Sequence, residues 1–374
     1  MPGRSSASGP VLSQRALNRA FLARQLLLDR APLATLDAIH QLAGLQSQAP
    51  QAPFVALWTR LIEFDPDELS QLMLARAVVR IALTRSTIYL VTAADCLAFR
   101  PLLQPVLERG LHATYRKQLA GVDLDQVVAA GRVHLSERPR TFQQLGKHLN
   151  EQWPERDGHA LSQAVRDLVP LVQVPPRGVW GGSGPAAHTP ADLWLEDIRG
   201  PEPAIDDLVI RYLAAYGPAT ARDVQTWSGL TRLGPVLARL RPRLVTFRAE
   251  DGRELFDLPE APRPDPETPA PLRFLAEFDT ALLSHQDRTR IISDAQRRVV
   301  FTINGIVRGT ILVDGMVAGV WKIVRSRTGA TLAVESFDPL PAATRSGLAD
   351  EGERLPRLAA SDAPTHEIRF ATLA

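Results

Sequence analysis

The spacing of apolar residues along this chain switches from helical to alternating three times, each time in the same order. In the first pass Leu17, Phe21, Leu22, Leu26 and Leu28 recur at helical spacing within Leu12–Leu45. Thr35 is placed to cap a second helix through Ile39, Leu42 and Leu45. Pro50 and Pro53 interrupt that pattern. A helix is predicted over Phe54–Leu61, and Asp65-Pro66 opens another over Asp67–Ala75. Val79, Ile81 and Leu83 then alternate with Arg80, Ala82 and Thr84. Arg85-Ser86 turns the chain, and Thr87–Thr92 returns as a second strand.

The second pass predicts a long helix over Pro101–Gln118, a short one after the Thr141 cap, and another over Leu161–Leu168. Its hairpin is Leu171–Val174 with Val179-Trp180, tipped by Pro175–Gly178. The third is the clearest, with helices Ile205–Tyr216, Ala221–Ser228 and Leu233–Leu240 and strands Leu244–Phe247 and Glu254–Leu258 around Asp251-Gly252. Helices followed by a two-stranded hairpin form the winged-helix pattern. After a proline-rich linker, alternation predicts strands Phe274–Phe278, Arg298–Ile303, Gly309–Val313, Met316–Val324 and Thr331–Phe337. An apolar element closes the chain near residue 370. The predicted fold class is therefore α+β, with three tandem winged-helix units (helix-turn-helix plus β-hairpin) followed by a small C-terminal β-barrel-like domain. The boundaries fall at 1–96, 97–199, 200–260, the linker 261–271, and 272–374.

Charged residues make up 22 % and apolar ones 45 % of the 374 residues, which excludes bulk disorder. Apolar runs are too short to span a bilayer, so no membrane association is expected. Met1–Pro10 is small and polar, predicting no secretory leader and a reducing cytoplasm. The lone Cys96 excludes a disulfide framework or a cysteine zinc site. His134, His148, His159 and His188 lack metal-ligand spacing, so neither metal nor cofactor is expected. The first 150 residues carry 17 Arg and Lys against 11 Asp and Glu, and only Lys117, Lys147 and Lys322 are lysines. An arginine's planar fork suits phosphate and guanine edges. A GC-rich genome explains the arginine bias equally well.

Three units in one chain suggest a scaffold that wraps a duplex. Several segments then carry a resemblance: Leu12–Ala20, Gly44–Pro50, Thr84–Thr92, Phe278–Arg288 and Leu312–Gly315. In their order and spacing they resemble the bacterial AlkZ/YcaQ family of winged-helix DNA glycosylases, over nearly the whole chain. The resemblance implies a C-terminal β-barrel, excision of alkylated bases, and unhooking of interstrand crosslinks. It also implies a catalytic Gln-aliphatic-Gln motif, which falls on Gln46 and Gln48. The middle position is Ser47, not an aliphatic residue, and buries less well if it packs inward.

Two neutral amides suffice only for an activated substrate. A purine alkylated at N7 or N3 is already cationic and leaves as a neutral base, so no general acid is needed. An amide carbonyl can orient the attacking water. Side chains two apart share a face only on an extended backbone, which the neighbouring prolines favour here. As a structural alternative, Gln46 and Gln48 belong to a polar loop after a helix.

His285, Asp287 and Arg288 form a second constellation, with His285 and Arg288 on DNA and Asp287 orienting one of them, or with an Asp–Arg turn closing a hairpin. Arg80, Arg85, Thr87 and Tyr89 on the first hairpin, Arg138 and Arg140 at a helix start, and Arg177 at a hairpin tip are candidate phosphate contacts, or solvated faces. No well-placed lysine suggests a Schiff-base lyase. These readings converge on a monomeric, metal-free, monofunctional DNA glycosylase acting on double-stranded DNA that carries alkylated purines, cytoplasmic and associated with the nucleoid. The alternative is a non-catalytic winged-helix DNA-binding protein or transcriptional regulator.

Overall fold

A computed structural model describes residues 9–360 and 362–373. Residues 1–8, on which most of the leader expectation rests, lie outside the described ones. The architecture is mixed α+β. Helices Gln14–Arg24, Thr35–Gln41, Ala52–Trp58 and Pro66–Leu74 precede the antiparallel pair Val78–Ala82 and Ile88–Thr92. Ser13 caps the first helix, its hydroxyl accepting from Ala16 N at 3.1 Å, and Asp65 caps the fourth.

The second stretch departs from expectation in two places. Instead of one helix over Pro101–Gln118 there are two, Ala93–Leu102 and Gln104–Tyr115, with Pro105 opening the second. A further helix, Leu124–Glu137, was not predicted although Asp123 caps it. Helices Phe142–Gln152 and Gly158–Leu168 follow, the former opened by a Thr141/Gln144 capping box. The strand returning beside Leu171–Gln173 is Ala187–Pro190, not Val179-Trp180. Val179 and Trp180 belong to a long loop that folds back on the first unit. Trp180 packs on Phe54 at 4.7 Å between rings, and its amide donates to Ser70 Oγ at 3.0 Å. Their apolar surface is used in that contact and not in a ladder.

The strands of the first two stretches merge into one six-stranded sheet. Val78–Ala82 pairs with Ile88–Thr92 on one side and with Leu171–Gln173 on the other, so it is an interior strand and every residue of it is buried. The third stretch forms helices Ile205–Tyr216, Ala221–Ser228 and Gly234–Leu240, then the hairpin Val245–Ala249 and Glu254–Asp257. The short strand Val11–Leu12 joins that hairpin in parallel.

The C-terminal sheet is open, which corrects the barrel expectation. Its order is Arg273–Leu275, Gly309–Val313, Met316–Arg325, Ala330–Ser336, His366–Thr372, and its two outer strands do not pair with each other. The last two strands run parallel, which requires a crossover. Helices Ala342–Gly352 and Arg354–Ala359 lie in that connection. The first half of the stretch predicted as the strand Arg298–Ile303 lies in the helix Asp294–Val300, started by a Ser293/Gln296 capping box.

Buried ion pairs tie these parts together. Arg24 donates to both Asp257 oxygens at 2.6 and 2.8 Å, joining the first helix to the third hairpin. Arg60 grips Asp279 at 2.9 and 2.7 Å, joining the first unit to the C-terminal region. Removing one partner of such a pair strands a buried charge. Among the described residues no helix is long and apolar enough to cross a membrane.

Candidate active site

The segment Gln46–Gln48 leaves the helix Thr35–Gln41 through Ala43 and Gly44, both in the left-handed region. Gly44 is required there, because a Cβ would lie 2.6 Å from Val91 Cγ1. Leu45–Gln46 then forms an edge strand, with Gln46 opposite Tyr89. Ser47 N donates to Ile88 O at 2.7 Å. This pairing, more than the neighbouring prolines, makes the segment extended. Ser47 is fully buried, Gln46 is 7 % exposed, and Gln48 is exposed in the bend that follows the strand.

Donors fix both amides. Arg85 Nη2 donates to Gln46 Oε1 at 3.0 Å, and Ile88 N to Gln48 Oε1 at 3.3 Å. A guanidinium and a backbone N–H can only donate, so each carbonyl oxygen must face its partner. Each oxygen keeps a second lone pair for a water. Arg85 is itself held, donating to Trp227 O at 2.9 Å and Tyr89 Oη at 3.3 Å. It sits with Ser86 in a left-handed pair, φ 52° and 59°, a strained backbone of about 1–3 kcal/mol per residue. Arg166 braces that turn, donating to Ser86 O at 3.0 Å.

Of the first hairpin's other candidates, Tyr89 and Arg80 are buried and Thr87 is half-buried. Tyr89 is fully buried. Arg80 is 2 % exposed, because its strand is interior, and its guanidinium donates to Ser47. Thr87 Oγ1 donates within its own turn to Thr84 O. Arg138 is exposed between the helices Leu124–Glu137 and Phe142–Gln152, just ahead of the Thr141 cap. Arg140 donates to Glu137 at 3.0 Å, and Arg177 to Gly184 O at 2.8 Å.

His285 is 1 % exposed and corrects the expectation of DNA contact. Its Nε2 lies 3.0 Å from Tyr216 O, which can only accept, so Nε2 carries the proton. Nδ1 is then free to accept from Ser284 Oγ at 3.0 Å. Asp287 orients neither His285 nor Arg288. It accepts from Thr289 N and Oγ1 at 3.0 and 2.6 Å and from Arg253 at 2.7 Å. Burial pushes the Asp287 carboxyl up, but the Thr289 and Arg253 hydrogen bonds outweigh it and hold it down at about 2. Arg288 stacks over Phe301, 4.7 Å from the ring centre. Burial, then the charges of Arg297 and Arg85, pushes it down to about 10, so it stays cationic at neutral pH. Sequence reasoning missed Arg166, Trp227 and the inward role of Arg80. Only the pairing of distant strands and helices brings Arg80 to Ser47 and Arg166 and Trp227 to the Arg85-Ser86 turn.

Buried neutral histidines set an acid limit on stability. Burial pushes His188 down to about 3 and His285 well below its usual value. Their folded pKa lies below the unfolded one, so they bind protons on unfolding between those values. Stability is complete above about pH 6.5 and falls as pH drops below it, each histidine adding up to ~1.4 kcal/mol per pH unit. Urea melts at pH 7, 6 and 5 check this, and an unchanged midpoint would contradict it.

Comparison with known proteins supplies a second line of information. A family model described as "DNA glycosylase AlkZ-like" matches residues 39–358. An interstrand DNA cross-link repair glycosylase of Streptomyces sahachiroi is 26 % identical over 327 residues, covering 80 % of this chain and 85 % of that protein. The solved structure of the Streptomyces sahachiroi DNA glycosylase AlkZ superposes with a TM-score of 0.78 at 20 % identity, covering 96 % of this chain and all of that one.

Proposed function

Since this chain belongs to the AlkZ-like DNA glycosylase family, we propose that it hydrolyses the N-glycosidic bond of cationic N-alkylpurines in duplex DNA and unhooks interstrand crosslinks built on them. The observation that carries this reading is that both glutamine carbonyls are held by donors of the first hairpin, Arg85 and Ile88 N, each with a lone pair to spare. The C1′–N bond breaks with its electron pair going to the base, which departs neutral. A water held between the two carbonyls adds to C1′ of the oxocarbenium-like sugar. The surplus proton passes to solvent, because neither amide can take it. Positioning supplies most of the acceleration, since the two amides carry no charge to set against the developing cation.

The three helix-plus-hairpin units act as winged helices around the duplex, and Arg138, exposed, is the candidate best placed to meet a phosphate. His285 and Asp287 support the fold behind the site. The enzyme is monofunctional and monomeric, with Lys117 in the turn after Gln104–Tyr115, Lys147 in the helix Phe142–Gln152 and Lys322 in the strand Met316–Arg325, all away in sequence from the glutamine segment. Incubating it with a duplex crosslinked through N7-alkylpurines is expected to release the link and leave an abasic site without strand cleavage. An intact crosslink and an intact N7-methylguanine monoadduct would instead favour a non-catalytic DNA-binding protein.

A further inference from the structure

Arg80 is a cation in the interior of a sheet, and among the described residues it has no carboxylate partner within salt-bridge distance. Burying a charge without a counterion is expensive, and the guanidinium is satisfied only by neutral oxygens. Two of its three hydrogen bonds go to a single residue: Nε donates to Ser47 Oγ at 2.9 Å and Nη2 to Ser47 O at 2.8 Å. The third, from Nη1, reaches Arg177 O at 3.5 Å. The loop holding Arg177 is shaped around this side chain. Gly178 has φ 97°, and a Cβ there would lie 2.7 Å from Arg80 Cδ.

We propose that Arg80 is a positioning residue whose planar fork, gripping the side chain and the carbonyl of Ser47 together, sets the direction of Gln46 and Gln48. Ser47 lies between the two glutamines, and its N–H is already tied to Ile88 O. With the Ser47 carbonyl also held, the peptide planes on both sides of Ser47 have little freedom, and the flanking side chains follow. An aliphatic residue at 47 has no oxygen to receive Nε. Ser47 and Arg80 are thus one unit, a polar replacement for the apolar anchor implied by the family resemblance. Lysine cannot replace the arginine, because a point donor does not span two oxygens in a fixed plane.

The inference rests on the reading of Gln46 and Gln48 as the water-orienting pair. The test measures single-turnover excision of N7-methylguanine at saturating duplex, the Kd, and its salt dependence, for Arg80→Lys, Ser47→Ala and the double variant. Arg80→Lys keeps the charge and loses the fork, so its rate at saturation should fall roughly 10- to 100-fold. Its Kd and salt slope should match the parent's, since no phosphate contact is lost. Ser47→Ala, which keeps the carbonyl bond, should lose less, about 3- to 10-fold, and the double variant no more than Arg80→Lys alone. A parental rate for Arg80→Lys, or a loss seen only in Kd and salt slope, overturns the proposal. If Arg80→Lys does not fold, a parental rate for Ser47→Ala overturns it. Gln46→Ala and Gln48→Ala run alongside: if they keep the parental rate, the glutamine reading falls and this one with it. If they lose activity while Arg80→Lys and Ser47→Ala keep it, only the positioning role falls.

Discussion

Replacing Gln46 or Gln48 by alanine is expected to slow excision of N7-methylguanine by roughly 10- to 1000-fold, or about 1–4 kcal/mol of transition-state stabilisation. Folding and DNA affinity should change little. Arg85 loses one acceptor in Gln46→Ala but keeps Trp227 O and Tyr89 Oη, so the destabilisation should stay near ~1 kcal/mol. Gln48 is exposed, and water can take over its bond to Ile88 N. The double change should cost less than the sum of the two, because both amides hold the same water. Gln48→Glu is the sharper variant, since it keeps an acceptor at the same reach and should retain activity where alanine loses it. Single-turnover assays on a duplex with one N7-methylguanine give the rates, and a binding titration gives the affinity. Parental rates for both alanine variants, with binding intact, would remove the catalytic assignment.

The second large effect is on substrate choice. Uracil and 8-oxoguanine should stay in the duplex while N7-methylguanine or N3-methyladenine is released. A neutral leaving base needs no proton, and the site offers no acid to supply one. Arg85 and Arg288 are guanidiniums, poor proton donors at neutral pH. Asp287 is held ionised and committed to Arg253 and Thr289. The His285 proton is bound to a backbone carbonyl in the interior. An unactivated base therefore faces its full barrier. Parallel excision assays on four duplexes that differ only in the target base decide the matter. Efficient uracil release would require an acid that none of these residues supplies.

Much of the fold was legible because local signals and tertiary packing agree. Thr220 and Asp223 form a capping box, Gly229 ends the helix in a left-handed turn, and the third stretch follows its predicted spans closely. Where they disagreed, packing or an overlooked cap prevailed. Val179-Trp180 reads as a strand, yet Trp180 is drawn onto Phe54. Arg298–Ile303 alternates like a strand, yet the Ser293 cap starts a helix through its first half. The barrel expectation failed because alternation shows that strands exist and is silent on whether the first and last of them meet.

The chemistry at the site divides along the same line. The sequence alone determined which residues can do the work, two neutral amides spaced for an extended backbone, since residue type and period are local properties. Their orientation was decided only by the tertiary structure. Arg85 reaches Gln46 across 39 positions and Arg80 reaches Ser47 across 33, so both bonds depend on strand pairing and turn geometry. The same closure buried Arg80, Tyr89 and His285, which look like surface contacts when read along the chain. Whether an arginine faces solvent depends on which strand comes to lie beside its own, and Leu171–Gln173, about ninety residues later, supplies that neighbour for Arg80.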